Sequence, residues 1–190
     1  FILMNTKNFV SGNVKKFADI LSVVTTPFSL LSLPRKIGIA FSNLDVLKRA
    51  GKAAIKITNP CEISYFSTVP FRFGDETRAV KYEARPSASN QLINPDKESE
   101  HLLRTNLSAT LKEQEIIYDF GVQFQTDPVK MPIEDPTIVW DSEFIKLATI
   151  RIPIQLCDTP ERHEFGDDLS FNSWHCSPEH EPLGSFNRVR

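Results

Sequence analysis

The stretch "EIIYDFGVQFQTD", residues 115–127, alternates at every second position. Tyr118, Phe120, Val122 and Phe124 make one strongly apolar set, and Ile117, Asp119, Gly121 and Gln123 make the other. Side chains of a strand point to opposite faces with period two. The aromatic row is therefore read as the covered face of a strand. "EISYFSTVPFRFG" (62–74) and "TRAVKYEARP" (77–86) are also rich in strand formers, with a turn at Gly74–Asp75 between them. They read as two antiparallel strands. "FIKLATIRIPIQL" (144–156) reads as another strand.

Helical spacing appears elsewhere. Residues 13–24 place Val14, Phe17, Ile20, Leu21 and Val24 on one face, and Pro27 closes the segment. "LSLPRKIGIAFS" (31–42) reads as a loop broken by Pro34 and Gly38. "NLDVLKRAG" (43–51) reads as a short helix capped by Asn43 and ended by Gly51. Residues 87–98 read as an exposed loop. Residues 98–114 are helical through Leu102, Leu103, Leu107 and Leu111. Pro128, Pro132, Pro136, Pro153 and Pro160 mark irregular connections around the last two strands, and a long irregular arm follows. Antiparallel strands grouped among inserted helices define an α+β class. Neither GxGxxG nor GxxxxGK[ST] occurs.

At 190 residues the chain fits one domain, and 41% hydrophobic content is enough for a core. A formal charge of −2 gives no footprint for nucleic acid. No apolar run reaches the roughly 18–20 residues of a membrane span. No signal peptide is visible, and the chain opens on Phe1 inside an apolar run, so the natural start is expected upstream. Cys61, Cys157 and Cys176 are odd in number and widely spaced, which reads as free thiols and favours the cytoplasm. The 14 phenylalanines suit a large core or a pocket for a flat apolar cofactor.

His175, Cys176, Glu179, His180 and Glu181 crowd together near the C-terminus. A helical zinc site is disfavoured: five residues turn a helix by about 500°, splaying the two imidazoles. Pro178 between them breaks a helix. His175, Glu179 and His180 read instead as hydrogen-bonding ties for an arm with few ladder partners.

The arm "LSFNSWHCSPEHEPLGSFNRVR" closely resembles the "LSFNPWHxLPEHRPLGxxNRxR" signature of the catalase-like haem proteins. Upstream phrases agree in order: "YFSTVPFRFG", "AVKYEARP", "FGVQFQTDPVKMPIEDPTIVW" and "LATIRIPIQ". The resemblance covers residues 60–190 and continues more weakly over 1–24. Ser173 stands where the family usually has Pro, and Glu181 where it usually has Arg. "LMNTKNFV" replaces the family's Asn-x-Pro-x-Phe-Phe phrase.

The resemblance implies an antiparallel β-barrel wrapped by helices, with a buried haem b. It also implies cleavage of hydrogen peroxide or an organic hydroperoxide. A distal His and Asn serve one haem face, and a Tyr phenolate binds iron on the other. By the same resemblance the distal Asn falls at Asn5, or at Met4 with a slip of one position. Phe17 falls over the haem face, and Phe171 and Phe186 fall among pocket-lining positions; each also suits a core role. Arg190 matches the Arg that precedes the axial Tyr by four residues on one helix. Tyr65, Tyr82 and Tyr118 lie in strand phrases that do not match the ligand. The distal His is expected before Phe1 and the axial Tyr after Arg190. Residues 1–190 thus read as a single partial catalase-like domain. Two alternatives stand beside the hydroperoxide-cleaving reading: an allene oxide synthase-like enzyme acting on fatty-acid hydroperoxides, and a haem-free structural or interaction module.

Overall fold

The computed structural model describes residues 2–25, 33–53 and 55–189. Three helices come first: α1 (Val14–Thr25), α2 (Leu33–Ser42) and α3 (Leu44–Ala53). Then follow β1 (Tyr65–Phe66), β2 (Phe71–Phe73), β3 (Asp75–Pro86), α4 (Leu102–Glu113), β4 (Ile116–Phe124) and β5 (Phe144–Ile152). Two further helices, α5 (Pro160–Asp167) and α6 (Ser185–Val189), flank the final arm. Pro27 lies outside the described residues.

α2 corrects the expected loop at 31–42. Pro34 sits in its first turn, where the missing N–H would have no intrahelical partner, so it breaks nothing. Gly38 lies in open space. α5 likewise replaces part of the expected irregular arm. Thr159 caps it by accepting from Arg162 N, and Pro160 occupies the first turn.

The sheet is antiparallel throughout, in the order β1-β3-β4-β5, with β2 also on β3. It is not closed into a barrel. Closure requires both sheet edges to find partners. Among the described residues β5 pairs only with β4, and of the five strands β1 has two residues and β2 three. The expected first strand, 62–74, is split into β1 and β2. Thr68 between them has φ 58°, a left-handed conformation that interrupts the ladder.

The core follows the alternation. Val80, Tyr82 and Val122 pack with Val69 and Phe71, while Ala84 and Tyr118 pack with Leu111, Ile116 and Cys61. Tyr82 stacks on Phe120 at 5.6 Å between centroids. The opposite face of β3 carries Lys81 and Glu83, covered by Trp140 and its neighbours. The Lys81 amine donates to Ile138 O at 3.2 Å and lies 5.0 Å from the Trp140 ring centroid.

Burial lowers the Lys81 pKa to about 8. The unfolded chain then holds this proton at pH values where the folded chain has released it. Stability from this residue therefore rises with pH between about 8 and 10.5, by at most about 1.4 kcal/mol per unit. Burial raises Cys61 to about 11 and Tyr82 to about 12, which acts in the opposite sense at the alkaline end. Comparison with Lys81→Met isolates the lysine. Urea unfolding from pH 7.5 to 9.5 is expected to show the parent gaining on the variant as pH rises; parallel curves would contradict a depressed amine.

Candidate functional site: an aromatic wall beside an N-terminal cavity

The segment before α1 is threaded through the molecule by its backbone. Met4 and Phe66 exchange two hydrogen bonds, each 2.7 Å. Further on, Phe9 N donates to Pro136 O at 2.8 Å and Asn8 Nδ2 to Thr137 O at 2.8 Å. Between these anchors lies a cavity of about 450 Å³, lined by Asn5, Thr6, Arg49, Ile55 and Val139 among others. Thr6 Oγ1 is buried without a partner among the described residues. Arg49 is held on α3 by donating to Val10 O at 2.8 Å and to Asp45 at 2.7 Å.

Beside this cavity three phenylalanines meet. Phe9 also lines the cavity. Its ring lies 5.0 Å from Phe17 of α1 and 4.7 Å from Phe186 of α6. The structure thus brings Phe17 and Phe186 together, although 169 positions separate them, through a residue the motif reading passed over. The signal for Phe9 was available in "NTKNFV", where an aromatic follows Asn5 in a segment too short for its own core. Phe171 is not part of this wall: it is 77% exposed. Trp174, three residues further on, is also exposed, at 43%. Trp174 donates Nε1 to Asn187 O at 3.1 Å. Arg190 lies outside the described residues.

The arm reaches the wall by adding to β2. Arg72 N donates to Glu181 O at 2.8 Å, Gly74 N to Glu179 O at 2.9 Å, and Leu183 N to Pro70 O at 2.9 Å. Gly184 then turns with φ +86°, where a Cβ would lie 3.1 Å from Ile133 O. Glycine alone adopts that turn without strain. α6 follows, with Ser185 N donating to Glu134 Oε2 at 2.9 Å. The bonds from Ser185 hold the Glu134 carboxyl below its ordinary range. Asn187, 1% exposed, donates to Pro70 O and Leu183 O.

Of the polar ties expected at His175, Glu179 and His180, the one at His180 reaches the sheet. His180 Nδ1 shares a hydrogen bond with the Tyr82 hydroxyl at 3.0 Å. Glu181, where the resembled signature has Arg, meets Arg72 at 3.4 Å. His175 is exposed. Among the described residues no three His, Cys, Asp or Glu side chains converge on a metal-sized site.

Tyr65 and Tyr118 both donate their hydroxyls to Pro60 O, at 2.7 and 3.2 Å. Burial raises the pKa of both, and of Tyr82, so all three remain phenols. His163 is engaged by Asp158 at 2.7 Å, and His180 by Tyr82. Among the described tyrosines, none is held as a phenolate.

Comparison with known proteins gives the class of fold. A bacterial catalase structure superposes with TM-score 0.59 at 14% identity, covering 81% of this chain and 34% of that one. A fungal catalase structure superposes with TM-score 0.62 at 12% identity, covering 95% of this chain and 40% of that one. The fold is catalase-like, and the chain spans well under half the length of these catalases. No family model and no curated protein matches the sequence.

Proposed function

We propose that the chain forms part of a haem-dependent, hydroperoxide-cleaving protein of the catalase type, acting on hydrogen peroxide or an organic hydroperoxide. The observation that carries this reading is the catalase-like fold. It is supported by the contact of Phe17 and Phe186 through Phe9, beside the cavity that Asn5 lines. Haem b would supply the redox chemistry. This chain's share is to wall and orient: Phe17 and Phe186 exclude water from one side, and the Asn5 amide offers a donor to a bound peroxide. Arg190 would donate to a phenolate four residues further on.

The chain alone is expected to bind added haemin weakly and to release no oxygen from peroxide, because burial keeps Tyr65, Tyr82 and Tyr118 as phenols. A stoichiometric complex with a tyrosinate-type Soret spectrum would contradict this. In a longer product of the same gene, a Tyr is expected at the fourth residue after Arg190, and haem is expected to copurify. There, Asn5→Ala is expected to reduce peroxide turnover by about 10²-fold, the scale of losing one oriented donor. A longer product that purifies without haem favours the haem-free module, the reading that the unavailable phenols support.

A further inference from the structure

A second cluster lies apart from the aromatic wall, around α4. Cys61 sits on the short turn Pro60–Glu62 and is 3% exposed. Asn59 fixes that turn to α4. Its Nδ2 donates to Asn106 O at 3.2 Å and Thr110 Oγ1 at 2.9 Å, while Cys61 N donates to its Oδ1 at 3.0 Å. The segment after β5 is fixed to the same helix. Gln155 N donates to Leu111 O at 2.7 Å, and Arg104 Nε donates to Asp158 at 2.9 Å.

Cys157 lies between those two anchors in sequence, and Cys61, Leu107, Leu111 and Cys157 belong to one packed cluster. Cys61 belongs to the core of Leu111, Ile116 and Tyr118, and Cys157 packs on that core from the half-exposed side. Next to Cys61 is an apolar cavity of about 290 Å³, lined also by Leu107, Tyr118 and Ile152. It leaves room for a side chain to turn.

We propose that Cys61 and Cys157 form a dithiol that hydroperoxide converts to a disulfide. The half-exposed Cys157 thiolate attacks the peroxide O–O bond, giving Cys157 sulfenic acid and releasing water, or an alcohol from an organic hydroperoxide. Cys61 then attacks the sulfenic sulfur; the S–S bond forms, the S–O bond breaks and water leaves. One hydroperoxide is reduced by two electrons and two thiols are oxidised by two. The order follows from exposure: Cys157 can meet the oxidant and Cys61 cannot. Burial and the neighbouring Cys157 also push the Cys61 thiol up to about 11, so it reacts second and slowly at neutral pH. Cys176 stands near Tyr82, in another part of the sheet, and serves as an internal control.

The test is peptide mapping of the native chain after titration with hydrogen peroxide, quenched by a thiol-blocking reagent. The expected product is one cross-linked pair joining the Cys61 and Cys157 peptides, lighter by two hydrogens and reversed by a reductant. It should persist in Cys176→Ser and vanish in Cys157→Ser. The unsubstituted chain decides the matter if a variant fails to fold. Sulfinic acid accumulating on Cys157 with no link to Cys61 overturns the proposal. So does a link from Cys61 to Cys176.

Discussion

Gly121→Ala is expected to lower the thermal midpoint by roughly 6–12 °C, with loss of the β4–β5 pairing as the cause. Gly121 lies where the ladder register shifts between β4 and β5. A Cβ there would stand 2.3 Å from Ile145 O and 2.6 Å from the Phe144 ring. Ile145 O belongs to the backbone of β5 and cannot turn aside. The ring also carries the Arg85 guanidinium, 3.9 Å from its centroid. Overpacking of this kind costs about 3 kcal/mol at the upper end of its usual range. Gly38→Ala is the control: it adds a Cβ in open space on α2 and removes a flexible residue from a helix. It should stabilise by roughly 0.5–1 kcal/mol. Equal midpoints for the two variants would show that the close approach at Gly121 is relieved by other means.

Asn59→Ala is expected to cost about 3–5 kcal/mol, since one truncation orphans several buried groups at once. The residue is fully buried. It caps the Pro60–Glu62 turn, with the Glu62 side chain bonding back to its own N–H. Its amide also bonds Asn94 Oδ1 at 2.9 Å, so turn, loop and α4 meet at one side chain. Loss of a cap alone is worth about 1 kcal/mol; the excess measures the tie to α4. Chemical denaturation provides the number. A cost near 1 kcal/mol would mean that water replaces the lost amide and that the turn is held by its backbone alone.

The strands were legible because their period survives in the structure. Tyr118, Phe120, Val122 and Phe124 do share a face, and Gly74 does turn β2 into β3 with φ +80°. α2 was not legible, because Pro34 and Gly38 argue against a helix locally while packing of α2 with α1 and α3 argues for it. Closure was over-read: the barrel came from resemblance, and no residue in β5 states which partner its far edge takes. At the site, motif matching found Phe17 and Phe186 but not the reason they matter. Phe9 joins them, and its contact with Phe186 across 177 positions has no periodic signature. Phe171 shows the converse, a motif position that the local chain leaves 77% exposed. Glu181 departs from the resembled signature yet finds a cation in Arg72, which only the approach of the arm to β2 reveals.

That approach also orders events during synthesis. β2 is made more than a hundred residues before the segment that hydrogen-bonds its outer edge at Arg72 and Gly74. As the polypeptide emerges from the ribosome, β3, β4 and β5 can assemble while that edge still presents unpaired backbone groups. An exposed edge of this kind is a template for other strands. Emergence of residues 179–183 therefore closes a window of vulnerability. A ribosome stalled before residue 179 would display a folded sheet with one unguarded border, a form recognisable to strand-capturing chaperones and prone to pairing with its neighbours on a polysome.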